Sequence, residues 1–518
     1  MKRWTLWLSA LLVALIPEAA QAAWLEASSA HFVVYADDSE GSIRRLSDQL
    51  ERYHAAIAFL TSAKLADPSP SNRVTVYVTS SEADVRRLYG AGGKYIGGFY
   101  IPRAGGSLAI VPKVASGSGE VGWSMVVLLH EYAHHFMWSS SNFPMPRWLS
   151  EGAAEFLSSA AFQRDGTISL GRPAEHRAGE LFLAENVTAE DLLDPAAYAK
   201  HHKGGGYDAY YGKAWLLYHF LVFDPGRRGQ LDAYIHALAV GKAQRQAALD
   251  VFGDFAVLEK DLNRYLDKPR MMMLRIPPAD LSVGPVAVRR LRDGEAAMMP
   301  VRIRSRRGVD EKQAPEVLAA ARAVAAKYPG DPAVQSALAE AEYDAGNDKE
   351  AIAAADAALA RDSSQVNAYV QKGFALFRMA KSASDRAAAY ARARAPFVAL
   401  NRIENDHPLP LVYYYRSFVE QGTPPTPTAF HGLQRAVELA PFDLGLRMTL
   451  AMEEIRRHDP ALARWALTPV AYNPHGGRLA EQAKRVLARL DADPKWDGRA
   501  GLEDLVAASA SDDGGDGE

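Results

Sequence analysis

Cysteine is absent from the 518 residues of this chain. Its absence excludes disulfide bonds, thiolate metal ligands, a cysteine nucleophile and a lipidated N-terminal cysteine. Neither charge is in large excess, since the formal net charge is −3. The chain as a whole therefore lacks the positive charge that is typical of proteins that bind nucleic acid. Beyond residue 22 no run is long and apolar enough to cross a bilayer. With 48% hydrophobic residues, the chain can fill two or three cores.

The first 22 residues have the three parts of a secretory signal peptide. Met1-Lys2-Arg3 is basic, residues 4–16 are apolar, and Ala20-Gln21-Ala22 offers small residues for cleavage. The alternative is an uncleaved membrane anchor, although the apolar stretch at residues 4–16 is shorter than a membrane-spanning helix needs. We expect cleavage after Ala22, no membrane span thereafter, and a periplasmic or secreted protein.

Residues 23–268 mix strand and helix patterns. Runs of alternating or β-branched residues predict strands, and apolar residues at helical spacing predict helices. From Pro146 onward this part is almost all helical. We therefore predict an α+β domain, with a small mixed sheet and a helical subdomain. Strands are predicted at His31–Tyr35 and Arg73–Thr79, a helix at Ser39–Thr61, and a hairpin from Gly97–Ile101 and Ser107–Val111.

The second half of the chain is rich in alanine and periodic. A loose repeat of 34 residues pairs Ala339 with Gly373 and Pro329 with Ser363. This period and the small residues resemble tetratricopeptide repeats, which are paired helices stacked into a solenoid. An ordinary alanine-rich helical bundle is the alternative. We predict a linker with possible short strands at 269–308, an all-α solenoid at 309–492 and a disordered acidic tail at 493–518.

A His-Glu-x-x-His motif lies in an apolar run that has no proline or glycine, from Trp123 to Trp138. Such a run predicts a buried helix. Residues four apart share one helix face, so His130 and His134 have the spacing at which two imidazoles bind one zinc ion. Glu131 is then placed to take a proton from a zinc-bound water.

A third zinc ligand is predicted in the next helix. Glu151 and Glu155 lie one helical turn apart in a largely apolar segment that starts near Pro146. Two carboxylates there are costly unless other groups pair with them. Glu151 can complete a site of two histidines and one glutamate with an open fourth position. Glu155 can bind the free nitrogen of a ligand histidine, although a plain surface carboxylate is the alternative.

Together, the motif at His130–His134 and the later Pro-x-Trp-Leu-Ser-Glu-Gly-x-Ala-Glu run resemble the gluzincin metallopeptidases. The exported peptidase MA-like group, related to thermolysin, is the most similar. The resemblance covers about residues 24–268 and implies a zincin-type fold with Zn²⁺ bound by His130, His134 and Glu151. It also implies that Glu131 is the general base and acid, and that Tyr211, with Tyr210 as the alternative, hydrogen-bonds the oxyanion. Further similar features are Trp24-Leu-Glu, His31-Phe-Val-Val-Tyr35, Gly97-Gly-Phe-Tyr100, Tyr211-Gly-Lys-Ala-Trp215 and Phe252-Gly-Asp254.

Two differences from related zinc peptidases narrow the choice of subclass. A third histidine after the motif, as in metzincins, is not supported because Met137 and Ser140 stand where glycine and histidine would be needed. The Gly-x-Met-Glu-Asn motif with which zinc aminopeptidases hold a free amine is also absent, and Gly97-Gly-Phe-Tyr100 occupies that region. An aminopeptidase is therefore disfavoured.

The remaining histidines have simpler interpretations. We expect His135 to pack on the helix surface rather than bind metal. His201 and His202, beside three glycines, predict a solvated loop, with a metal-touching loop as the alternative. His219 lies among leucines and phenylalanine and is expected in the core.

Two functions fit these features. The first is an exported zinc endopeptidase that hydrolyses a protein or peptide substrate and docks a protein partner or substrate on its repeats. The second is an envelope protein–protein interaction scaffold whose zinc domain is weakly active or inactive. A hydrolase for a non-peptide amide is a third, weaker hypothesis. None involves nucleic acid.

Overall fold

The computed structural model describes residues 24–90, 96–114, 117–141, 143–203 and 206–498. The predicted signal peptide, and the predicted acidic tail after residue 498, lie outside these residues. In the described part of the chain no helix is long and apolar enough to cross a membrane.

Two sheets form in the N-terminal half. The larger has the strand order β10-β1-β2-β3-β5-β4, with β2, β3 and β5 parallel, and the smaller has the antiparallel order β6-β7-β8-β9. The predicted hairpin is confirmed as β4 and β5, and β4 is an edge strand. The strands are β1 Trp24–Ser28, β2 Phe32–Asp37, β3 Val74–Thr79, β4 Phe99–Ile101, β5 Leu108–Pro112, β6 Gly119–Glu120, β7 Ala161–Phe162, β8 Ile168–Leu170, β9 Leu274–Ile276 and β10 Ala287–Arg290.

Eleven α-helices accompany these sheets within the described residues. The predicted helix at Ser39–Thr61 is confirmed as α1, which starts after the N-cap Ser39, whose side chain accepts from the amide of Ser42. The helices are α1 Glu40–Thr61, α2 Glu82–Tyr89, α3 Trp123–Ser140, α4 Arg147–Ser158, α5 Ala178–Leu183, α6 Ala189–Leu193, α7 Pro195–His201, α8 Tyr210–Phe223, α9 Gln230–Ala239, α10 Gln244–Phe252 and α11 Phe255–Leu266.

The motif helix α3 is buried between the sheet layer and α4. The hydroxyl of Tyr53 in α1 donates to the carbonyl of Leu129 at 3.0 Å, which ties α1 to α3. From Trp148 to Ser158, α4 is entirely buried. It packs so closely on α8 that a Cβ added to Gly152 would lie 2.6 Å from the carbonyl oxygen of Ala214. The residue after Glu151 must therefore be small.

The C-terminal half is a stack of helices joined by turns of three to six residues. Successive helices pack on each other, as in helical repeats. The helices α14 and α16 begin 34 residues apart, at Pro332 and Val366, which matches the predicted period. Later helices depart from that period. The helices are α12 Asp293–Arg307, α13 Ala314–Lys327, α14 Pro332–Asp344, α15 Asp348–Arg361, α16 Val366–Ala380, α17 Arg386–Ile403, α18 Pro408–Gln421, α19 Pro427–Leu439, α20 Leu444–Arg456, α21 Pro460–Ala471 and α22 Arg478–Ala492.

The segment 269–308, predicted as a linker, is more ordered than expected. Its two strands do not pair with each other: β9 joins the smaller sheet and β10 joins the larger one. Residues 293–307 form α12, which packs on α13 and α14. The helical stack therefore begins before residue 309.

The helical half folds back onto the N-terminal half instead of projecting away from it. Glu404 accepts hydrogen bonds from the amide and hydroxyl of Ser71, both at 2.9 Å. The amide of Ala104, in the β4–β5 connection, donates to Asp443 at 2.8 Å, and Ala104 itself is buried in the helical core. These contacts hold the α17–α18 and α19–α20 turns against the N-terminal half.

Gly152 gives a stability test of the α4–α8 contact. Gly152→Ala should lower the free energy of unfolding by about 1–3 kcal/mol, because the new methyl group meets rigid helix backbone. The matched control is Gly179→Ala in α5, where an added Cβ meets nothing within 4 Å. Urea denaturation of both variants checks this, and equal effects would contradict the close packing.

Asp344, at the end of α14, predicts a pH dependence. Burial and the charge of Glu340 raise its pKa from 3.8 to about 7. Between these two pH values the unfolded chain has lost a proton that the folded chain keeps, so stability falls as the pH rises. Asp344→Asn should therefore stabilise the protein by about 1–3 kcal/mol at pH 8 and change little at pH 4.

Asp331 offers a control of opposite sign for this pH test. Despite burial, Arg292 and the amides of Ala333 and Val334 lower the pKa of Asp331. Asp331→Asn should destabilise the protein at pH 8, measured by the same denaturation curves. The same sign for both variants would show that the charge of Asp344 is not the cause.

Candidate metal centre

The two motif histidines lie on one buried face of α3. His130 is 8% exposed and His134 is fully buried, and their Nε2 atoms are 3.1 Å apart. This distance suits either an N–H···N hydrogen bond between the two rings or two nitrogens that share one metal ion. The helix thus places both predicted histidine ligands at one point.

Glu151, on α4, places its carboxylate beside the Nε2 atoms of both histidines. Its Oε2 lies 3.2 Å from Nε2 of His130 and 3.4 Å from Nε2 of His134. Ligands about 2.0–2.1 Å from a tetrahedral zinc ion are separated by about 3.3 Å, so this triangle has the size that zinc requires. Both oxygens of Glu151 are buried, and neither makes a hydrogen bond in the described structure. Among the described residues, His130, His134 and Glu151 can thus share a metal ion.

The other nitrogen of each of these histidines lies beside a polar side chain, at ion-pair distance for His130 and at hydrogen-bond distance for His134. Nδ1 of His130 lies 3.1 Å from Oε1 of Glu155, and Nδ1 of His134 lies 3.2 Å from the hydroxyl of Ser150. Such partners fix the tautomer and orientation of a ligand histidine. Glu155, predicted in this role, is therefore in the expected place, whereas Ser150 was not predicted.

Basic side chains surround Glu155, which is fully buried. Burial would raise its pKa, but His130, His176 and Arg177 hold that pKa well below the usual range. Nε2 of His176 lies 2.6 Å from Glu155, and Arg177 donates to it at 2.5 Å. Both residues lie in the short connection before α5, where no motif marks them, so sequence reasoning missed them.

The electrostatics of the pocket favour a cation. Burial opposes a charge on His130, yet the carboxylates of Glu155 and Glu151 raise its pKa to about 10. The pKa of Glu151 is lowered in turn, against burial, by His134 and His130. Two buried carboxylates thus require positive charge at the histidines, from a proton or from a metal ion.

Glu131 is half-buried and faces a different side of α3 from the ligands. Burial and then the charge of Glu131 raise the pKa of Tyr100 in β4.

The two predicted tyrosines at the start of α8 differ in exposure. Tyr210 is 5% exposed, whereas Tyr211 is partly exposed. The guanidinium of Arg147 lies 4.1 Å from the ring centre of Tyr210, and that of Arg177 lies 4.8 Å from that of Tyr211. Burial and the charge of Glu151 raise the pKa of Tyr211 to about 12. Tyr211 is the more accessible hydrogen-bond donor of the two.

The other histidines considered from the sequence, which are His135, His219 and the pair His201–His202, lie outside the triangle. His135 packs against Phe442, and its Nδ1 lies 2.6 Å from the hydroxyl of Tyr100. His219 is buried as predicted, and burial lowers its pKa to about 4. His201 ends α7, is about half exposed and hydrogen-bonds Asp191, in keeping with the predicted solvated position. His202 departs from that prediction, because its side chain is only 6% exposed.

A further histidine reaches the site from the helical half. His475 lies in the turn between α21 and α22, and its Nδ1 is 3.8 Å from Oε1 of Glu151. Its ring stands edge-on to His134, with 5.2 Å between the ring centres. Sequence analysis missed His475 because only the folding back of the solenoid brings it here.

Comparison with known proteins gives limited similarity. A search against protein-family models found no match, and neither did a search of curated proteins. A thermophilic TPR protein of Thermus thermophilus aligns at 18% identity and a TM-score of 0.28, over 39% of this chain and 90% of that chain. The MamA RS-1 ArsTM double mutant aligns at 15% identity and a TM-score of 0.27, over 39% of this chain and 99% of that chain.

Alignments with TM-scores this low do not establish a shared fold. The description of the C-terminal half as paired, stacked helices therefore rests on its own elements. The gluzincin resemblance of the N-terminal half stays a prediction.

Glu155 gives a test of the site that needs no substrate. Glu155→Gln should lower the affinity for zinc by about 10- to 100-fold, because it weakens the partner that orients His130. Glu180→Gln is the matched control, since Glu180 binds Arg177 at 2.6 Å but has no contact with a ligand. Competition with a chelating dye measures both affinities, and equal losses would contradict this role.

Proposed function

We propose that this chain is an exported, zinc-dependent endopeptidase of the gluzincin type. The observation that carries the proposal is the buried triangle of His130, His134 and Glu151, whose ligand atoms are 3.1–3.4 Å apart. A chance His-Glu-x-x-His match would not explain why a buried glutamate on a second helix lies within 3.4 Å of both histidines and makes no hydrogen bond.

The donor set favours zinc among the metals. Two imidazoles and one carboxylate, with no thiolate in the chain, are a recurrent set in catalytic zinc sites. Zinc, when bound, lowers the pKa of a water in its fourth position and polarises a substrate carbonyl. Other N/O-binding metals fit the same triangle less specifically.

Other residues supply the acid–base and hydrogen-bonding groups that peptide hydrolysis needs. Glu131 takes a proton from the attacking water and delivers it to the leaving nitrogen. Tyr211, protonated at neutral pH because its pKa is about 12, donates a hydrogen bond to the developing oxyanion. Strand β4, at the edge of the larger sheet among the described residues, is where an extended peptide would add as a further strand. The substrate is thus a protein or peptide in extended form.

The helical half gives the enzyme a second role. Stacked helix pairs provide long surfaces for protein binding, so we assign this half to a protein partner or to the substrate. The predicted signal peptide assigns the whole protein to the periplasm or the exterior of the cell.

A scaffold is the second candidate function. It is favoured by the extent of the helical stack, which runs from α12 to α22, and by the solenoid lying close over the metal site. In this case the metal stabilises the fold, and protein binding by the helical half is the activity.

Glu131→Gln separates the two functions. The variant should keep stoichiometric zinc, because Glu131 is not a ligand, and should lose about 10²- to 10⁴-fold in peptide hydrolysis. Zinc analysis and cleavage of a proteome-derived peptide library measure these two properties. His134→Ala is the control that loses zinc as well.

Two outcomes would contradict the peptidase. One is wild-type protein with far less than one zinc per chain. The other is hydrolysis that Glu131→Gln leaves unchanged. If a gene replacement with Glu131→Gln keeps the cellular phenotype while deletion of the repeats abolishes it, the scaffold is the function.

A further inference from the structure

We propose that a cavity between the larger sheet and the helical half binds the phosphate group of a small molecule. This inference goes beyond the peptidase and does not depend on zinc. The cavity has a volume of about 290 Å³, near the lower end of the range for small-molecule sites. Its walls include the sheet, the β4–β5 connection, α12, the start of α16 and the α17–α18 turn.

The strands separate this cavity from the candidate metal site. Tyr35 of β2 and Tyr77 of β3 line the cavity, whereas their neighbours Val34 and Val76 lie in the core that includes α3. Alternate residues of a strand point to opposite faces of a sheet. The cavity therefore lies on the face of the sheet that is turned away from the metal ligands.

The lining of the cavity has an excess of positive charge. Among the described residues that line it, Glu26 is the one carboxylate, and it already accepts two hydrogen bonds from Arg289, which is not a lining residue. Four arginines from three parts of the chain line the same space: Arg73, Arg103, Arg302 and Arg306. A guanidinium group binds phosphate and carboxylate oxygens well.

Three of the four arginines have no carboxylate at ion-pair distance among the described residues. Arg306 has one, since its Nε lies 3.4 Å from Oε2 of Glu340. Arg73 and Arg103 donate instead to hydroxyl and carbonyl oxygens. Partly buried charges are costly without a counter-ion. An anion in the cavity would supply the missing negative charge.

Arg302 has the most donors left for such an anion. Its guanidinium lies 4.6 Å from the ring centre of Tyr35 and donates to the hydroxyl of that residue at 3.2 Å. Among the described residues this is its one hydrogen bond, so most of its five N–H donors remain free. Burial raises the pKa of Tyr35 to about 12, so this hydroxyl is neutral and does not balance the charge.

Arg103 and Arg306 lie close enough to repel each other. Arg103 donates to the backbone carbonyl of Arg306 at 2.6 Å. Burial, and then the positive charge of Arg306, lower the pKa of Arg103. An anion that carries two negative charges would remove this repulsion.

Neutral donors complete the lining. Helix α16 starts at Val366, and its N-cap Gln365 makes no side-chain capping bond, so the first amides of the helix remain available. Nδ1 of His407 accepts from the amide of Leu409, and burial lowers the pKa of His407 to about 4. The neutral ring therefore carries its proton on Nε2.

This arrangement of donors favours phosphate over carboxylate. A carboxylate is satisfied by one guanidinium fork, whereas a phosphate group has three or more acceptor oxygens and up to two negative charges. Here the donors approach from the sheet, from α12 and from the helical half. A phosphate bound among them would bridge the two halves of the chain.

Isothermal titration calorimetry of the full chain at fixed ionic strength tests the site. The probes are inorganic phosphate and glycerol phosphate, with acetate as the carboxylate comparison. Arg302→Gln should weaken phosphate binding at least about 10-fold, because hydrogen bonds to a charged group are lost. The matched control is Arg304→Gln, on the same helix but outside the cavity and paired with Glu316, which should bind as the wild type does.

Melting curves provide a second measurement. Phosphate should raise the Tm of the wild type and of Arg304→Gln, and should leave that of Arg302→Gln unchanged. Arg302→Lys, which keeps the charge but loses the planar fork, repeats both measurements in case the glutamine variant disturbs the sheet. Its affinity should lie between those of the wild type and Arg302→Gln.

The outcomes separate this proposal from the proposed function. A wild type that binds neither phosphate probe overturns the proposal, and so does acetate binding as tight as phosphate binding. Equal phosphate binding by the wild type and both Arg302 variants also overturns it, because phosphate then binds elsewhere, for example at zinc. Tighter binding of glycerol phosphate than of inorganic phosphate assigns the site to an ester, and the reverse assigns it to the free ion. None of these results changes the test with Glu131→Gln.

Discussion

Two carboxylates buried side by side in α4 are the constraint on which this structure depends. Glu151 and Glu155 are both fully buried, one turn apart on the same helix. An isolated buried carboxylate is so costly that it would otherwise be protonated or excluded. The surrounding structure meets this cost with basic side chains close to the carboxylates, which are those of His130, His134, His176 and Arg177.

That requirement also explains the packing around α4. The helix must lie deep enough for its carboxylates to reach the histidines of α3, which forces its other side against the backbone of α8 at Gly152. The hydroxyl of Tyr53 holds α3 from the opposite side. The candidate metal site is thus part of the core, and a change in the helix contacts would also move His130, His134 and Glu151 relative to one another.

Local patterns in the sequence were enough to predict part of this arrangement. The spacing of His130 and His134 fixes their common face within one helix, and Glu151 follows in the next helix, so only one packing contact had to be inferred. Non-local features could not be predicted in this way. His176 and Arg177 have no motif, α12 carries Pro300 inside an irregular pattern and was expected as a linker, and His475 lies near the end of the described chain.

The fold-back of the solenoid has a consequence for the order of assembly. The three ligands lie in two consecutive helices, α3 and α4, so they emerge together when the chain is synthesised or exported from its N-terminus. The turn with His475 emerges much later, after ten further helices of the stack have been made. During that interval the triangle is complete and uncovered, and a metal ion can enter before the covering turn exists.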